Sequence, residues 1–349
     1  MRRREWALLL TSSGALAACG SRTGLPIEEF VTPAPSSVDV EIDAGSLDGT
    51  VLTVTPIVDA AVPPIEVTVA PDASPLSICL DAGSTLIYLI SESNDLLSFD
   101  PPSATFSRIA GIDCPTVGVP TGTPTECYSG APKPFSMAVD RTGTAYVEFC
   151  DGELFQVSTA TAACKATPFV AGQQGFATNF GMGFVQDTTD TDETLFVASG
   201  GDGTATPPAL SWIDTTTFAL HVVGPFSPTA GGGVVSAAEL TGTGAGNLYA
   251  FFGVFGTTSA IAQIDKVTAQ VVQQSDLPVE QGNYYAFAFW GGDFYTFTSA
   301  SNLAPGSTIV TRFRPSDGTV VPVASTPDSI VGAGVSTCAP QAPTPSPPR

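Results

Sequence analysis

From residue 75 onward, apolar and polar positions fall into short runs of four to seven residues. The runs are rich in β-branched and aromatic side chains, and Gly, Asp, Pro and Thr separate them. That pattern reads as strands and turns, and the strands repeat. Residues 75–89 align with residues 134–148, each as strand, Asp-Gly turn, strand. Weaker copies are 181–187 leading to 195–198, 235–240 leading to 248–252, and 285–290 leading to 294–297. After each comes a second hairpin, at 97–106, 154–162, 210–218, 261–269 and 310–319, so the period is about fifty residues.

Four strands per period predict an all-β protein, a β-propeller of four-stranded blades. The reason is physical. A lone four-stranded sheet exposes two apolar faces and two edges, whereas blades stacked in a ring cover one another. Residues 86–90 are apolar on both sides, as a strand between two neighbours should be. Five blades are countable. Residues 329–336 read as an innermost strand with no hairpin after it, expected to close the ring against residues 76–90. If residues 51–69 supplied its partners instead, the ring would have six blades.

Outside the repeats the pattern changes. Residues 1–18 read as a signal peptide: Arg2, Arg3 and Arg4, a short apolar stretch, then Leu16, Ala17 and Ala18 before Cys19. This start resembles that of bacterial lipoproteins, which implies lipidation of Cys19 and a membrane anchor with no spanning helix. Several acyl chains on one residue anchor stably where a single chain does not. Arg3 and Arg4 also resemble a twin-arginine signal, with the Sec route preferred. Gly20 after the cysteine favours the outer membrane of a Gram-negative envelope. Residues 19–74, punctuated by Pro33, Pro35, Pro63 and Pro64, are expected to be a flexible stalk, with β-prone pieces at 51–55 and 65–69 that can dock on the domain. The propeller domain is assigned to 75–340 and a disordered tail to 341–349.

Charge narrows the partners. Residues 1–18 hold three of the 12 basic and one of the 33 acidic residues, so the mature chain has 9 against 32, a net −23. With no basic cluster to neutralise phosphates, nucleic acid is excluded as a partner. The membrane through its lipid, and an envelope protein or polysaccharide, are the expected partners.

Six cysteines besides Cys19 are expected to form disulfides in an exported protein. Spacing suggests Cys114 with Cys127, Cys150 with Cys164, and Cys79 with Cys338. The last closes a loop of more than two hundred residues, a restraint of order 5 kcal/mol in the chain-entropy model.

Candidate chemistry is sparse. The single histidine, His221, falls on an outer strand and is expected to be structural or solvent-facing; histidine metal cages are excluded. There is no Gly-x-Ser-x-Gly elbow, and no catalytic residue is assigned. Asp187, Asp190, Asp192 and Glu193 form the sharpest acidic cluster. Calcium is the one ion they suit, although the EF-hand glycine and terminal glutamate are absent; otherwise no cofactor is expected. Trp290 and Tyr295 offer a stacking platform for a ligand, while Tyr285, Phe287 and Phe289 share one strand face and read as core. Asp81, Asp140 and Glu239 are the acids placed on or beside inner strands.

Residues 180–185, 238–244, 286–297, 314–320 and 331–340 resemble a family of uncharacterised lipoproteins from myxobacteria and their relatives. The similarity covers residues 75–340 and brings no known activity. The blade phrases are also loosely similar to Kelch, NHL and lactonase-type propellers. These readings favour a non-enzymatic binding module at the envelope, with a calcium-dependent propeller hydrolase or lactonase as the alternative.

Overall fold

The computed structural model describes residues 64–65, 85–116, 132–187, 192–200, 208–227, 238–254, 258–299 and 307–342, all within one compact unit, Asp59–Arg349. They form five four-stranded antiparallel sheets, the blades of a propeller. Blade one holds β1 (Ile87–Ser91), β2 (Asp95–Asp100), β3 (Thr105–Gly111) and the last of the described strands, β20 (Ile330–Val335). Blade two is β4 (Pro134–Val139), β5 (Thr144–Phe149), β6 (Leu154–Ser158) and β7 (Cys164–Ala166). Blade three is β8 (Phe180–Gln186), β9 (Glu193–Ser199), β10 (Ala209–Ile213) and β11 (Leu220–Pro225). Blade four is β12 (Glu239–Gly242), β13 (Leu248–Val254), β14 (Thr258–Ile264) and β15 (Val271–Leu277). Blade five is β16 (Tyr285–Trp290), β17 (Asp293–Thr298), β18 (Thr308–Arg314) and β19 (Thr319–Thr326). Among the described residues no helix is long and apolar enough to cross a membrane.

The ring closes as expected. β20 pairs antiparallel with β1, Ile87 opposite Val335 and Leu89 opposite Ala333, and serves as the inner strand of blade one. The expected partner of β1 at residues 76–80 is corrected here. Both edges of β1 are occupied, one by β20 and one by β2, so no edge is left for that segment. Blade number follows: five, not six. The segment 76–80 itself lies outside the described residues.

Strand alternation sorts side chains to the two neighbours of each blade. In β1, Ile87 and Leu89 pack toward blade five while Tyr88 and Ile90 pack toward blade two. In β13, Tyr249 and Phe251 face blade five while Leu248, Ala250 and Phe252 face blade three. The core is therefore five seams, one between each pair of adjacent blades. The seam between blades four and five is the aromatic one: Phe251 lies over Phe287 at 5.6 Å, and Phe294 meets Tyr249 edge-on at 4.8 Å. Tyr285, Phe287 and Phe289 sit in or against this seam, as their alternation predicts. Ile65, from the stretch read as stalk, is 3% exposed in the same seam, with its N–H donating to Ser275 Oγ at 3.1 Å.

The inner strands lie side by side and point the same way around the axis, at backbone distance. A Cβ on Gly181 would stand 2.0 Å from Ala238 O, and one on Gly242 would stand 2.1 Å from Phe184 O. Small residues are therefore demanded at these positions by the approach of one blade's backbone to the next. The outer hairpin turns follow a second rule. The third and fourth strands of every blade are joined through one residue in the left-handed region: Ala104, Ala162, Phe218, Ala269 and Gly318. In blades two to five its N–H closes a five-residue turn, as in Phe218 N–H to Asp214 O at 2.6 Å and Ala269 N–H to Asp265 O at 2.9 Å. Asp214 and Asp265 brace theirs by accepting two backbone N–H bonds each.

Cys114 pairs with Cys164, with Cα atoms 5.2 Å apart, in place of the two local pairs suggested by spacing. Register explains the difference. Cys164 stands opposite Val157 on β6, while Cys150 lies beyond the far end of that strand, in the β5–β6 turn. The bond joins the stretch after β3 to β7, and so ties blade one to blade two at the rim. Cys150 and Cys338 are also disulfide-bonded, and Cys79 and Cys127 lie outside the described residues.

Two glycine substitutions separate the two backbone constraints. Gly318→Ala, at φ 69° with no heavy atom within 4 Å of the new Cβ, should cost about 1 kcal/mol from conformation alone. Gly181→Ala should cost about 3 kcal/mol or more, because blade three and blade four must separate. Chemical denaturation of both variants measures the difference.

Candidate functional site

The two ends of the ring are built differently. At the end where the inner strands finish, every described connection within a blade is short: residues 140–143, 187–192, 243–247 and 291–292 between first and second strands, and no more than six residues between third and fourth. At the end where the inner strands begin, connections run to residues 112–133, 167–179, 200–208, 226–238 and 299–307. We call the latter the entry end. Its five long connections carry four charged side chains, Asp113, Glu126, Lys133 and Asp202, and are otherwise rich in Thr, Ser, Gly, Pro and amide residues.

Beneath the entry end lies a buried acidic pair. Glu239 begins β12 and is 3% exposed; its Oε2 accepts a hydrogen bond from Ser136 Oγ of β4 at 3.0 Å, reaching from blade four to blade two across the ring. Glu148, near the end of β5, is fully buried, and its Oε2 accepts the Phe180 N–H at 3.3 Å. Loss of hydration holds both carboxyls well above the ordinary range, opposed by these donors and, for Glu148, reinforced by the charges of Glu239 and Asp151. Burial, then the nearby Glu239, pushes the Tyr285 phenol upward as well. Sequence reading placed Glu239 on an inner strand but passed over Glu148, which looks like an ordinary polar position in an apolar strand. The signal that could have found it is the all-apolar alternation of β5, which leaves no polar face for a glutamate.

Between the two ends the axis is filled by Ala138, Met182, Gly183, Leu240, Thr241, Gly242, Ala333 and Gly334. The segment after β20 covers the exit end. Pro340 O accepts the Gly291 N–H at 2.7 Å, and Thr337 Oγ1 donates to Glu193 Oε2 at 2.8 Å.

The acidic cluster read from sequence is divided by this arrangement. Glu193 turns toward the exit end, where its Oε1 accepts the Arg141 N–H at 2.7 Å; burial, opposed by these hydrogen bonds, raises its pKa. Asp187 accepts from Thr194 Oγ1 at 3.1 Å, and its N–H donates to Asp192 O. Asp190 lies outside the described residues, as do Cys19 and Asp81. Among the described residues no three His, Cys, Asp or Glu side chains gather as a metal cluster. Asp140 caps its own turn, accepting Thr142 N–H and Thr144 N–H at 2.8 Å each.

Trp290 and Tyr295 do not form the expected platform. They are 6% and 4% exposed in the seam between blades five and one, and the Trp290 indole N–H donates to Thr85 O at 2.8 Å. The ring faces are consumed by packing; burial pushes the Tyr295 hydroxyl up to about 12. His221 is exposed on the outer strand of blade three, stacked on Trp212 at 4.0 Å.

No family model matches the chain, and no curated protein matches it. The resemblance to myxobacterial lipoproteins therefore rests on its residues alone. Solved structures with similarity include TolB from Acinetobacter baumannii, 11% identical over 68% of this chain and 51% of that one, TM-score 0.35. The Dos1 propeller is 10% identical over 73% and 71%, TM-score 0.37. A GH43 glycoside hydrolase engineered for endo-xylanase and exo-arabinofuranosidase activity is 13% identical over 69% and 50%, TM-score 0.44. This chain spans about half the length of TolB.

The buried pair gives a pH signature. A carboxyl whose folded pKa lies above its unfolded value stabilises fully below the unfolded pKa, about 4.3 for Glu, and loses that contribution as pH rises through the folded pKa. In EDTA-containing buffer the midpoint of thermal unfolding should fall as pH is raised above about 4.5. Glu239→Gln should flatten that slope, as melting curves across the pH range would show.

Proposed function

We propose that the propeller is a binding module held at the cell envelope by a lipid on Cys19, and that its recognition surface is the entry end. One observation carries the second half of this reading: all the long connections sit on one end of a rigid ring, and the other end is trimmed to tight turns. Loops on a rigid scaffold are where binding residues concentrate. Their chemistry fits a neutral partner. On a chain of net charge −21, the five longest entry connections are almost uncharged and full of hydroxyl, amide and glycine residues, the composition of adaptable hydrogen-bonding surfaces. A polysaccharide or a neutral protein surface of the envelope suits them better than an ionic ligand. The anchor reading is supported by the arginine start and the small residues before Cys19, and the outer membrane by Gly20.

The calcium-dependent hydrolase reading finds support in Glu148 and Glu239, two carboxyls whose pKa burial raises well above the ordinary range, the direction a general acid requires. Their burial places them under the entry surface rather than on it. Turnover of ester, lactone or glycoside substrates that disappears in Glu239→Gln would favour that reading over a binding module.

Two measurements test the proposal. Cys19→Ser should release an intact, folded protein into the soluble fraction, whereas persistent membrane attachment would show that the lipid is not the anchor. Replacing residues 228–236 and 301–306 with short Gly-Ser turns should leave the unfolding midpoint nearly unchanged and abolish retention on envelope polysaccharide and co-purification of envelope proteins. Retention equal to the parent protein would remove the entry end as the recognition surface.

A further inference from the structure

Three buried side-chain polar atoms that lack a hydrogen-bond partner fall in one seam of the described residues. They are Glu148 Oε1, Asp151 Oδ2 and Asn179 Oδ1, and all three are oxygens. The placement follows from the fold. Glu148 lies one residue before the end of β5, and Asp151 sits in the β5–β6 turn, with its Oδ1 accepting the Glu153 N–H at 3.2 Å. Asn179 immediately precedes Phe180, whose N–H binds the other oxygen of Glu148. The β5–β6 turn is pressed onto this stretch: a Cβ on Gly152 would stand 2.8 Å from Thr178 Cγ2 and 3.4 Å from Thr178 O. Glu148 and Asp151 are 0% and 5% exposed, and Glu148 feels the charge of Asp151.

Protein interiors pair their acceptors, so three unpaired oxygens along one seam point to something that fills the role of donor. We propose that this junction of blades two and three is a binding site for a hard divalent cation, calcium by preference, held by Glu148 Oε1, Asp151 Oδ2 and Asn179 Oδ1. The donor set is oxygen only, with no sulfur or imidazole, which selects hard ions. Two carboxylates match a charge of +2, and the amide adds a neutral ligand. A strand end, a turn and a connection form an irregular cradle, which calcium tolerates and the strict octahedron of magnesium does not. A single water has two hydrogens for three acceptors and leaves both carboxylate charges unanswered. The site is distinct from the Asp187 loop and does not rest on the binding-module reading.

The experiment uses the full mature chain, stripped with EDTA and desalted, titrated with calcium and then magnesium by calorimetry and by thermal unfolding. The expected result is one calcium per chain, with a midpoint raised by roughly 5 °C or more at a hundredfold excess over Kd. Glu148→Gln and Asp151→Asn should each weaken binding at least tenfold, and Asn179→Ala, which buries no new charge, should weaken it several-fold. The double variant Asp187→Asn, Asp192→Asn should bind as the parent does. No binding up to about 10 mM, beyond the range of extracellular calcium modules, would overturn the proposal and leave the seam a water site. So would binding that survives in Glu148→Gln and Asp151→Asn, each checked for native circular dichroism.

Discussion

A blade has two apolar faces, and a ring of five has no face left over, so the antiparallel pairing of β20 with β1 decides whether any blade is properly buried. Without β20, blade one keeps only three strands, and the seams on either side of it lose Ile330, Val331 and Ala333. Closure also delivers the segment that covers the exit end, through Thr337 and Pro340. The rim disulfide between Cys114 and Cys164 adds a covalent tie to the same neighbourhood. The ends of the ring are thus joined by hydrogen bonds near the axis, and blade one is tied to its next neighbour by sulfur at the edge.

That ring leaves its centre to the backbone. Gly181, Gly242, Gly332 and Gly334 stand where a side chain would strike the neighbouring blade, so the axis is packed rather than open. Polar groups at the entry end must then be satisfied within the seams, which is why Glu148 and Glu239 take donors from other blades, the Phe180 N–H and Ser136 Oγ. The proposed recognition surface is the set of connections above them, a division between a rigid interior and a variable rim that suits a loop-bearing scaffold.

Much of this was legible in the order of residues. Residues 86–90 read as apolar on both sides and β1 is buried on both, and Phe287 and Phe289 lie in the seam that their shared strand face predicts, because each position has a defined neighbour once strands are paired. The outer turns were legible too, since the stretches 154–162, 210–218 and 261–269 share a strand, a polar bend and a return. What escaped were relations across seams. Cys114 and Cys164 lie fifty residues apart and meet only because β7 returns to the rim beside the stretch after β3. Trp290, beside two glycines, looked like a residue at a mouth, yet the glycines make a tight turn and the indole folds back to Thr85. Glu148 carried no motif at all; its burial is a property of the blade next to it.

The closing strand has a consequence in time. Residues 330–335 are made long after β1, yet they complete its blade, so β1, β2 and β3 remain without their inner partner until the other four blades have been made. Contacts so distant along the sequence slow folding, and the molecule spends its youth as an open crescent with apolar faces uncovered. Any event that cuts the chain before residue 330 removes the keystone of the ring, and a cell that makes this protein has to keep the crescent from meeting another before residues 330–335 arrive.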